Sequence, residues 1–149
     1  MAALLFAAQF IRPARTNPET ADLMSLASHA RVTPEVEEVL RRSCADCHSN
    51  QTRWPWYSNV APVSWFVIDH VNEGRRELNF SAWGDYEPRE AAQMLEAICV
   101  EARYGFMPLT SYTLVHRAAR LSERDVNTLC EWTEAEAARL ASTGQHRLR

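Results

Sequence analysis

Hydrophobic residues recur every three to four positions along most of the chain, which is the pattern of amphipathic helices. The first clear helix is predicted to begin at Thr33, a suitable N-cap residue, with Pro34 in its first turn. Its inward side is expected to contain Val36, Val39, Leu40 and Cys47. This helix therefore leads directly into the first two cysteines of the sequence.

Two further helices are predicted in the middle of the chain, separated by a loop over 78–87. The second runs from Pro62 to about Gly74, and its inward side is expected to contain Val63, Phe66, Val67 and Val71. The third begins at Pro88 and ends at Gly105, where a glycine suits the C-cap. Its buried side is expected to contain Ala91, Leu95, Ile98 and Ala102.

A short helix over 111–120 and a long final helix are predicted in the last third of the chain. Ser122 and Asp125 resemble a capping box at the start of the final helix. Its inward side should contain Val126, Leu129, Cys130, Ala137 and Leu140. No strand pattern stands out, so the predicted fold class is all-α, with about five helices joined by loops.

The chain of 149 residues is expected to form one domain, because 46% hydrophobic and 23% charged residues are ordinary for a folded globule. We expect an apolar N-terminal segment and linker over 1–16, a folded domain over 17–140 and a tail over 141–149. As a helix, the apolar run 1–11 would reach only about 16 Å, roughly half of the hydrocarbon layer. We favour the end of a membrane anchor; the alternative is a segment that packs on the domain.

The net charge of -3 leaves no basic surface of the kind that nucleic acids require. A nucleic-acid partner is therefore not expected. A charge of this size also selects no particular protein partner.

The strongest chemical signal is Cys44-Ala-Asp-Cys47-His48, the pattern of covalent c-type haem attachment. Two thiols at this spacing form thioethers with the vinyl groups of one porphyrin, and the next imidazole faces its iron. The pattern predicts one covalent haem c, held by Cys44 and Cys47, with His48 as an axial ligand of the iron.

These cysteines have two alternative uses. A thioredoxin-like redox pair would need a strand before the motif, where a helix is predicted instead. A zinc site could combine the pair with Cys99 and Cys130, although these two lie on separate predicted helices. For Cys99 and Cys130 we favour two buried free thiols over a disulfide.

Met107, followed by Pro108, is the candidate for the second axial ligand. It lies in a loop well downstream, and a thioether raises the reduction potential by favouring ferrous iron. His116 is the weaker candidate and His70 weaker still. A methionine that only fills the core remains the alternative.

Several aromatic and basic side chains are candidates for contact with the haem. Indole and phenol groups need a hydrogen-bond partner when buried, and a haem propionate could serve Trp54, Trp56, Tyr57 or Trp65. Arg75 and Arg76 could pair with propionates as well. Core packing for the aromatics and solvation for the arginines are the favoured interpretations.

The sequence resembles the bacterial haem-binding domain family of c-type cytochromes. The stretches that carry the likeness are Cys44-Ala-Asp-Cys-His-Ser-Asn50, Thr52-Arg-Trp-Pro-Trp-Tyr-Ser58, Ala61-Pro-Val-Ser-Trp65, Gly74-Arg75, Leu78-Asn-Phe-Ser-Ala-Trp83 and Met107-Pro-Leu109. The likeness continues through Tyr112, His116, Leu121-Ser122 and Trp132, so it covers most of the chain from about Asn17.

The resemblance implies a cytochrome c-like domain in the periplasm, anchored to or associated with the cytoplasmic membrane. With two strong axial ligands the iron has no open position, so we expect a non-enzymatic carrier of single electrons that exchanges them with redox partner proteins. The alternative is a haem enzyme, or a sensor of gas or peroxide, in which the position of Met107 is open or labile.

Overall fold

The computed structural model describes residues 6–146, and this part of the chain is helical without strands. The helices are α1 (Leu26–His29), α2 (Pro34–Ser43), α3 (Ala45–His48), α4 (Val63–Glu77), α5 (Pro88–Arg103), α6 (Thr110–Val115) and α7 (Glu123–His146). Short 3-10 turns cover Asp22–Met24, Trp56–Asn59, Phe80–Asp85 and Arg117–Ala119. The predicted all-α class is confirmed.

Helix α2 begins as the sequence predicts and ends just before the haem motif. The backbone N–H of Val36 donates to Oγ1 of Thr33 at 3.4 Å, which caps the first turn. At Cys44 the backbone leaves the helical region, with φ -124° and ψ -39°, and α3 begins at the next residue. The helix predicted to carry both cysteines is therefore two helices, with the break at the first cysteine.

The core lies between α5, α7 and α2. Leu95 and Leu129 are fully buried, and Trp132 donates its indole N–H to the main-chain oxygen of Arg31 at 3.0 Å. The predicted side of α5 is confirmed by the burial of Ala91, Leu95, Ile98 and Ala102. The periodicity of hydrophobic residues predicted the buried side of this helix correctly because neighbouring helices cover the whole of that side.

Cys99 on α5 and Cys130 on α7 form a disulfide. The expectation of two free thiols was wrong, because the two helices pack side by side and bring the Cα atoms to 4.7 Å. The disulfide also removes two of the four sulfurs that the zinc alternative required.

Helix α4 turns to the core a side that only partly matches the predicted one, since Val71 is buried as expected. Val63 and Phe66 are about half exposed, whereas the buried residues are Ser64, Ile68, Val71 and Gly74. The physical reason is a close helix contact: a Cβ built on Gly74 would lie 2.8 Å from the main-chain oxygen of Cys47. The small residue places that side of α4 against α3 and leaves Val63 and Phe66 about half exposed.

The ends of the later helices follow local sequence signals. Gly105 closes α5 with a positive φ of 70°, as predicted for a C-cap glycine. The helix expected over 111–120 ends early, because His116 leaves the helical region with φ -107° and ψ 70°. The capping box is confirmed: Ser122 N–H donates to Oδ2 of Asp125 at 2.8 Å, and Asp125 N–H donates to Oγ of Ser122 at 3.2 Å.

The N-terminal segment lies against α4. The side-chain amide of Gln9 donates to the Ala61 oxygen at 3.1 Å and accepts from the Ala61 N–H at 3.0 Å. The indole N–H of Trp65 donates to the Ile11 oxygen at 2.7 Å. Part of the predicted apolar run, residues 1–5, lies outside the described residues. Within them, no helix combines the length and apolar character needed to cross a membrane.

Candidate functional site

A cavity of about 560 Å³ opens between α3, α4, α5 and the loop that follows α5. Its volume lies within the range of small-molecule and cofactor sites. All four residues predicted as cofactor ligands line it, namely Cys44, Cys47, His48 and Met107. The fold therefore brings together residues that are up to sixty-odd positions apart in the sequence.

The imidazole of His48 is held from one side by the main chain. Its Nδ1 lies 2.9 Å from the Gly74 oxygen and 3.1 Å from the Leu78 oxygen. Carbonyl oxygens only accept, so Nδ1 carries the proton and Nε2 keeps its lone pair. Burial lowers the pKa of His48, an effect that these hydrogen bonds oppose without cancelling. A neutral ring with Nδ1–H fixed in this way is the form in which histidine binds a metal.

The thiols of Cys44 and Cys47 are unpaired. Burial raises the pKa of Cys44 to about 12, with a further contribution from the neighbouring thiol. Burial also raises the pKa of Cys47 to about 11, aided by the carboxylate of Asp46. A thioredoxin-like pair works through a thiol of lowered pKa, so these values and the absence of strands in residues 6–146 both oppose that alternative.

Met107 lies on the wall of the cavity that contains His48, and its backbone is fixed. Its N–H donates to the Glu101 oxygen at 3.1 Å, an oxygen that also accepts from Phe106 at 3.0 Å. The peptide bond between Met107 and Pro108 is cis. The backbone contacts thus hold this residue at the end of α5, beside the cavity.

His116 lies elsewhere, on a second and smaller cavity that His48 does not line. Its Nε2 is 2.6 Å from the hydroxyl oxygen of Tyr57, and its ring stacks on Tyr112 with the centroids 4.4 Å apart. The interpretation of His116 as a hydrogen-bonded histidine therefore has direct support. Of the three candidates for the second ligand, Met107 and His70 line the cavity that contains His48, whereas His116 does not.

The larger cavity suits a porphyrin. Its walls are mainly apolar and include Leu78, Phe80, Met94, Ile98 and Leu129. Ser43 also lines it, and Ser43 Oγ is the one buried side-chain N or O atom in the described part of the chain that lacks a hydrogen-bond partner. A buried polar atom of this kind calls for a partner. The free Nε2 of His48 and two unpaired thiols complete a donor set that fits haem c.

Asp46, between the two motif cysteines, organises the loop that follows them, and sequence reasoning missed this role. Its carboxylate accepts from the Arg53 guanidinium at 3.1 Å through both Nε and Nη2, and from the Tyr112 hydroxyl at 2.7 Å. Burial by itself would raise the pKa of Asp46, but these hydrogen bonds outweigh it and lower the pKa. The sequence signal for this ion pair was an acid inside the motif followed seven positions later by an arginine.

The predicted aromatic contacts divide between two environments. Trp56 and Tyr57 line the smaller cavity, which has a volume of about 350 Å³. Trp54 and Trp65 line neither cavity, and their indole N–H groups donate to Asn17 and Ile11 instead. Core and loop packing, the favoured interpretation, accounts for this second pair.

Arg75 donates to protein oxygens, so the favoured interpretation of a solvated arginine was wrong for this residue. It donates at 2.8 Å to the main-chain oxygens of Ser49 and Thr16 and to Oγ1 of Thr52. Arg76 pairs with Glu73 on the surface. Both arginines thus have partners within the protein.

Comparison with known proteins agrees with the geometry of the larger cavity. No curated protein and no solved structure matches this chain. The family described as "Haem-binding domain" matches residues 3–135, which include the whole of the larger cavity. The chain therefore belongs to the haem-binding domain family.

Proposed function

We propose that this protein is a monohaem c-type cytochrome that carries single electrons. The observation that carries the proposal is the shared lining of one apolar cavity by two unpaired thiols and by a neutral imidazole with a free Nε2. Among the described residues, no group of three or more His, Cys, Asp or Glu side chains is placed to hold a metal ion.

Each residue at the cavity has a distinct task in this function. The sulfurs of Cys44 and Cys47 would hold the porphyrin covalently, and His48 Nε2 would bind the iron on one side. Met107 would supply a thioether ligand on the other side, which favours the ferrous state. When bound, haem c supplies a reversible one-electron couple. The apolar walls exclude water from it, and the fixed Nδ1–H of His48 keeps that ligand in one orientation.

The proposed setting is the periplasm, in association with the cytoplasmic membrane and with redox partner proteins. Covalent attachment of haem c takes place outside the cytoplasmic membrane, as the family resemblance implies. Phe6, Phe10 and Ile11 support association with a membrane, since each is more than 60% exposed at the N-terminal end of the described chain. Large apolar side chains are rarely exposed in a group without a binding role.

Expression with an export signal and cytochrome maturation proteins tests covalent attachment. We expect the intact mass to exceed that of the polypeptide by one haem, and the haem colour to stay with the denatured chain on a gel. The double change Cys44→Ser with Cys47→Ser should abolish both signals. Cys99→Ser with Cys130→Ser is the matched control and should retain them. An intact mass equal to that of the bare polypeptide would refute the proposal.

An enzyme or sensor is the second candidate, and binding of carbon monoxide separates it from a carrier. A ferrous iron with two protein ligands binds carbon monoxide poorly, whereas an open or labile position binds it readily. The absorption spectrum of the reduced protein under carbon monoxide is the measurement. Ready binding by the wild type would favour the enzyme or sensor.

A further inference from the structure

The smaller cavity borders the proposed haem site without containing its ligand set. Cys47, His70, Leu109 and Tyr112 line both cavities, whereas Cys44 and His48 line only the larger one. A porphyrin attached at both cysteines and bound by His48 therefore belongs to the larger cavity. The smaller one, of about 350 Å³, is a separate space beside it, and its volume suits a small molecule.

The walls of the smaller cavity are apolar and partly aromatic. Trp56 is 77% exposed, and Val63, Phe66 and Val115 are between 46% and 64% exposed, although all four line the cavity. Exposed apolar residues grouped around a concave surface are typical of a ligand-binding site. Aromatic walls favour a planar aromatic occupant, because rings pack in stacked or edge-to-face arrangements.

The charges at the cavity favour an uncharged occupant over an anionic one. Arg53 is the one cationic side chain in the lining apart from the histidines, and its Nε and Nη2 both donate to the carboxylate of Asp46. The positive charge is thus balanced within the protein. An uncharged ligand suits this lining better than a carboxylate or a phosphate.

His70 supplies a hydrogen-bond acceptor. Its Nδ1 lies 2.8 Å from the Phe66 oxygen, so Nδ1 carries the proton and Nε2 keeps a lone pair. The Phe66 and His70 rings pack with their centroids 4.0 Å apart. The cavity therefore combines an aromatic wall with an imidazole nitrogen that can accept from a hydroxyl group. The hydroxyl of Tyr57, paired with His116, lies in the same lining.

We propose that the smaller cavity binds a small, uncharged hydroxy-aromatic molecule, packed against Trp56 and Phe66, with its hydroxyl group donating to Nε2 of His70. Such a molecule would lie directly beside Cys47. The site does not use Cys44, His48 or Met107, although His70 and Cys47 also line the larger cavity.

Equilibrium dialysis of the haem-containing protein against 2-naphthol tests the proposal. We expect saturable binding of one molecule per chain. Phe66→Ala should weaken it about tenfold, since part of an aromatic contact surface is lost. Phe106→Ala removes a phenylalanine that is also more than half exposed but lines neither cavity, and it should leave the affinity unchanged. Absence of saturable binding, or equal effects of the two changes, would overturn the proposal.

The hydroxyl contact is tested with 2-methylnaphthalene, which has the same ring system but cannot donate. His70→Leu should lower the ratio of the 2-naphthol to the 2-methylnaphthalene affinity about fivefold, as expected for the loss of one hydrogen bond of ordinary strength. The anion 2-naphthoate should bind more weakly than 2-naphthol. An unchanged ratio in His70→Leu contradicts the proposal, as does binding restricted to haem-free protein, which would show that the porphyrin fills this space.

Discussion

The Nδ1 atom of His48 lies 2.9 Å from the main-chain oxygen of Gly74, and the same glycine lies against the backbone of Cys47. One residue of α4 thus meets two residues of the haem motif. The main-chain oxygen orients the imidazole, and the missing side chain permits the approach that makes this hydrogen bond. The orientation of the predicted axial ligand depends on a helix 26 residues downstream.

Gly74→Ala should disturb this contact. Its Cβ would meet the Cys47 oxygen at 2.8 Å, and this neighbour is backbone, so one of the two helices must shift. We expect a loss of about 1–3 kcal/mol in the free energy of unfolding, together with a lower yield of haem-containing protein. Urea denaturation and the ratio of haem absorbance to protein measure the two effects.

Asn72→Ala on the same helix is the control for this change. Asn72 is exposed, and alanine favours a helix more than asparagine does, so this variant should be as stable as the wild type or slightly more so. Equal stability of the Gly74→Ala and Asn72→Ala proteins would show that the close approach is not needed.

Met107→Ala is expected to remove the second ligand of the iron. The ferric wild type should show the weak sulfur-to-iron charge-transfer band at the red end of the visible spectrum, and the variant should lack it. Loss of a ligand that favours ferrous iron should lower the reduction potential, and carbon monoxide should then bind. Visible spectra and a redox titration provide the measurements.

His116→Ala separates the two candidate ligands. Because its Nε2 is paired with Tyr57 on the other cavity, this change should leave the charge-transfer band in place. If the band survives in Met107→Ala and the spin state changes in His116→Ala, the ligand assignment is wrong.

The disulfide between Cys99 and Cys130 should contribute about 3 kcal/mol to stability, because it closes a long loop with a sequence separation of 31. Cys99→Ser with Cys130→Ser should lower the denaturation midpoint accordingly. Thiol labelling of the unfolded, unreduced protein without haem checks the pairing. Two labelled thiols are expected, those of Cys44 and Cys47, and four would exclude the disulfide.

Asp125 should make α7 sensitive to acid. Burial would raise the pKa of Asp125, but hydrogen bonds from Ser122 and Arg42 outweigh it and lower the pKa. Because the folded-state pKa is lowered, the ionised Asp125 carboxylate stabilises the folded protein. This stabilisation is complete above the unfolded pKa of about 3.9 and is lost as the pH falls through the folded-state value. Asp125→Ala should therefore cost about 1 kcal/mol at pH 7 and progressively less in acid.

Urea denaturation at a series of pH values from neutral to acid checks this expectation. Glu134→Ala, an exposed acid on the same helix, is the control and should show little cost at any pH. A cost of Asp125→Ala that stays constant down to the acid end would refute the role of its charge.

The features that the sequence predicted well are local ones. The Thr33 cap, the buried side of α5, the C-cap at Gly105 and the Ser122–Asp125 box each depend on residues within a few turns of one another. The five residues Cys44–His48 are also local, and the covalent haem that they indicate stays a prediction. Patterns of this length are set mainly by backbone geometry, which one sequence displays directly.

The features that were missed depend on contacts between distant segments. The exposed position of Phe66 follows from where Gly74 meets Cys47, and no periodicity within α4 reveals that meeting. The disulfide depends on the relative placement of α5 and α7, and the hydrogen bond from Tyr112 to Asp46 joins residues 66 positions apart. Such pairs become visible only when the helices are packed.

The contacts of Arg75 have a consequence for where the folded unit begins. Its guanidinium joins the main chain of Thr16 and the side chain of Asn17 to Ser49 and Thr52, in the loop directly after the haem motif. A chain shortened to begin at residue 18 would leave that guanidinium facing water on one side and the loop held by fewer bonds. Residues 16 and 17 thus help to hold the loop over residues 49–52 in place. Replacing them with an unrelated sequence would loosen the loop that follows Cys44–His48.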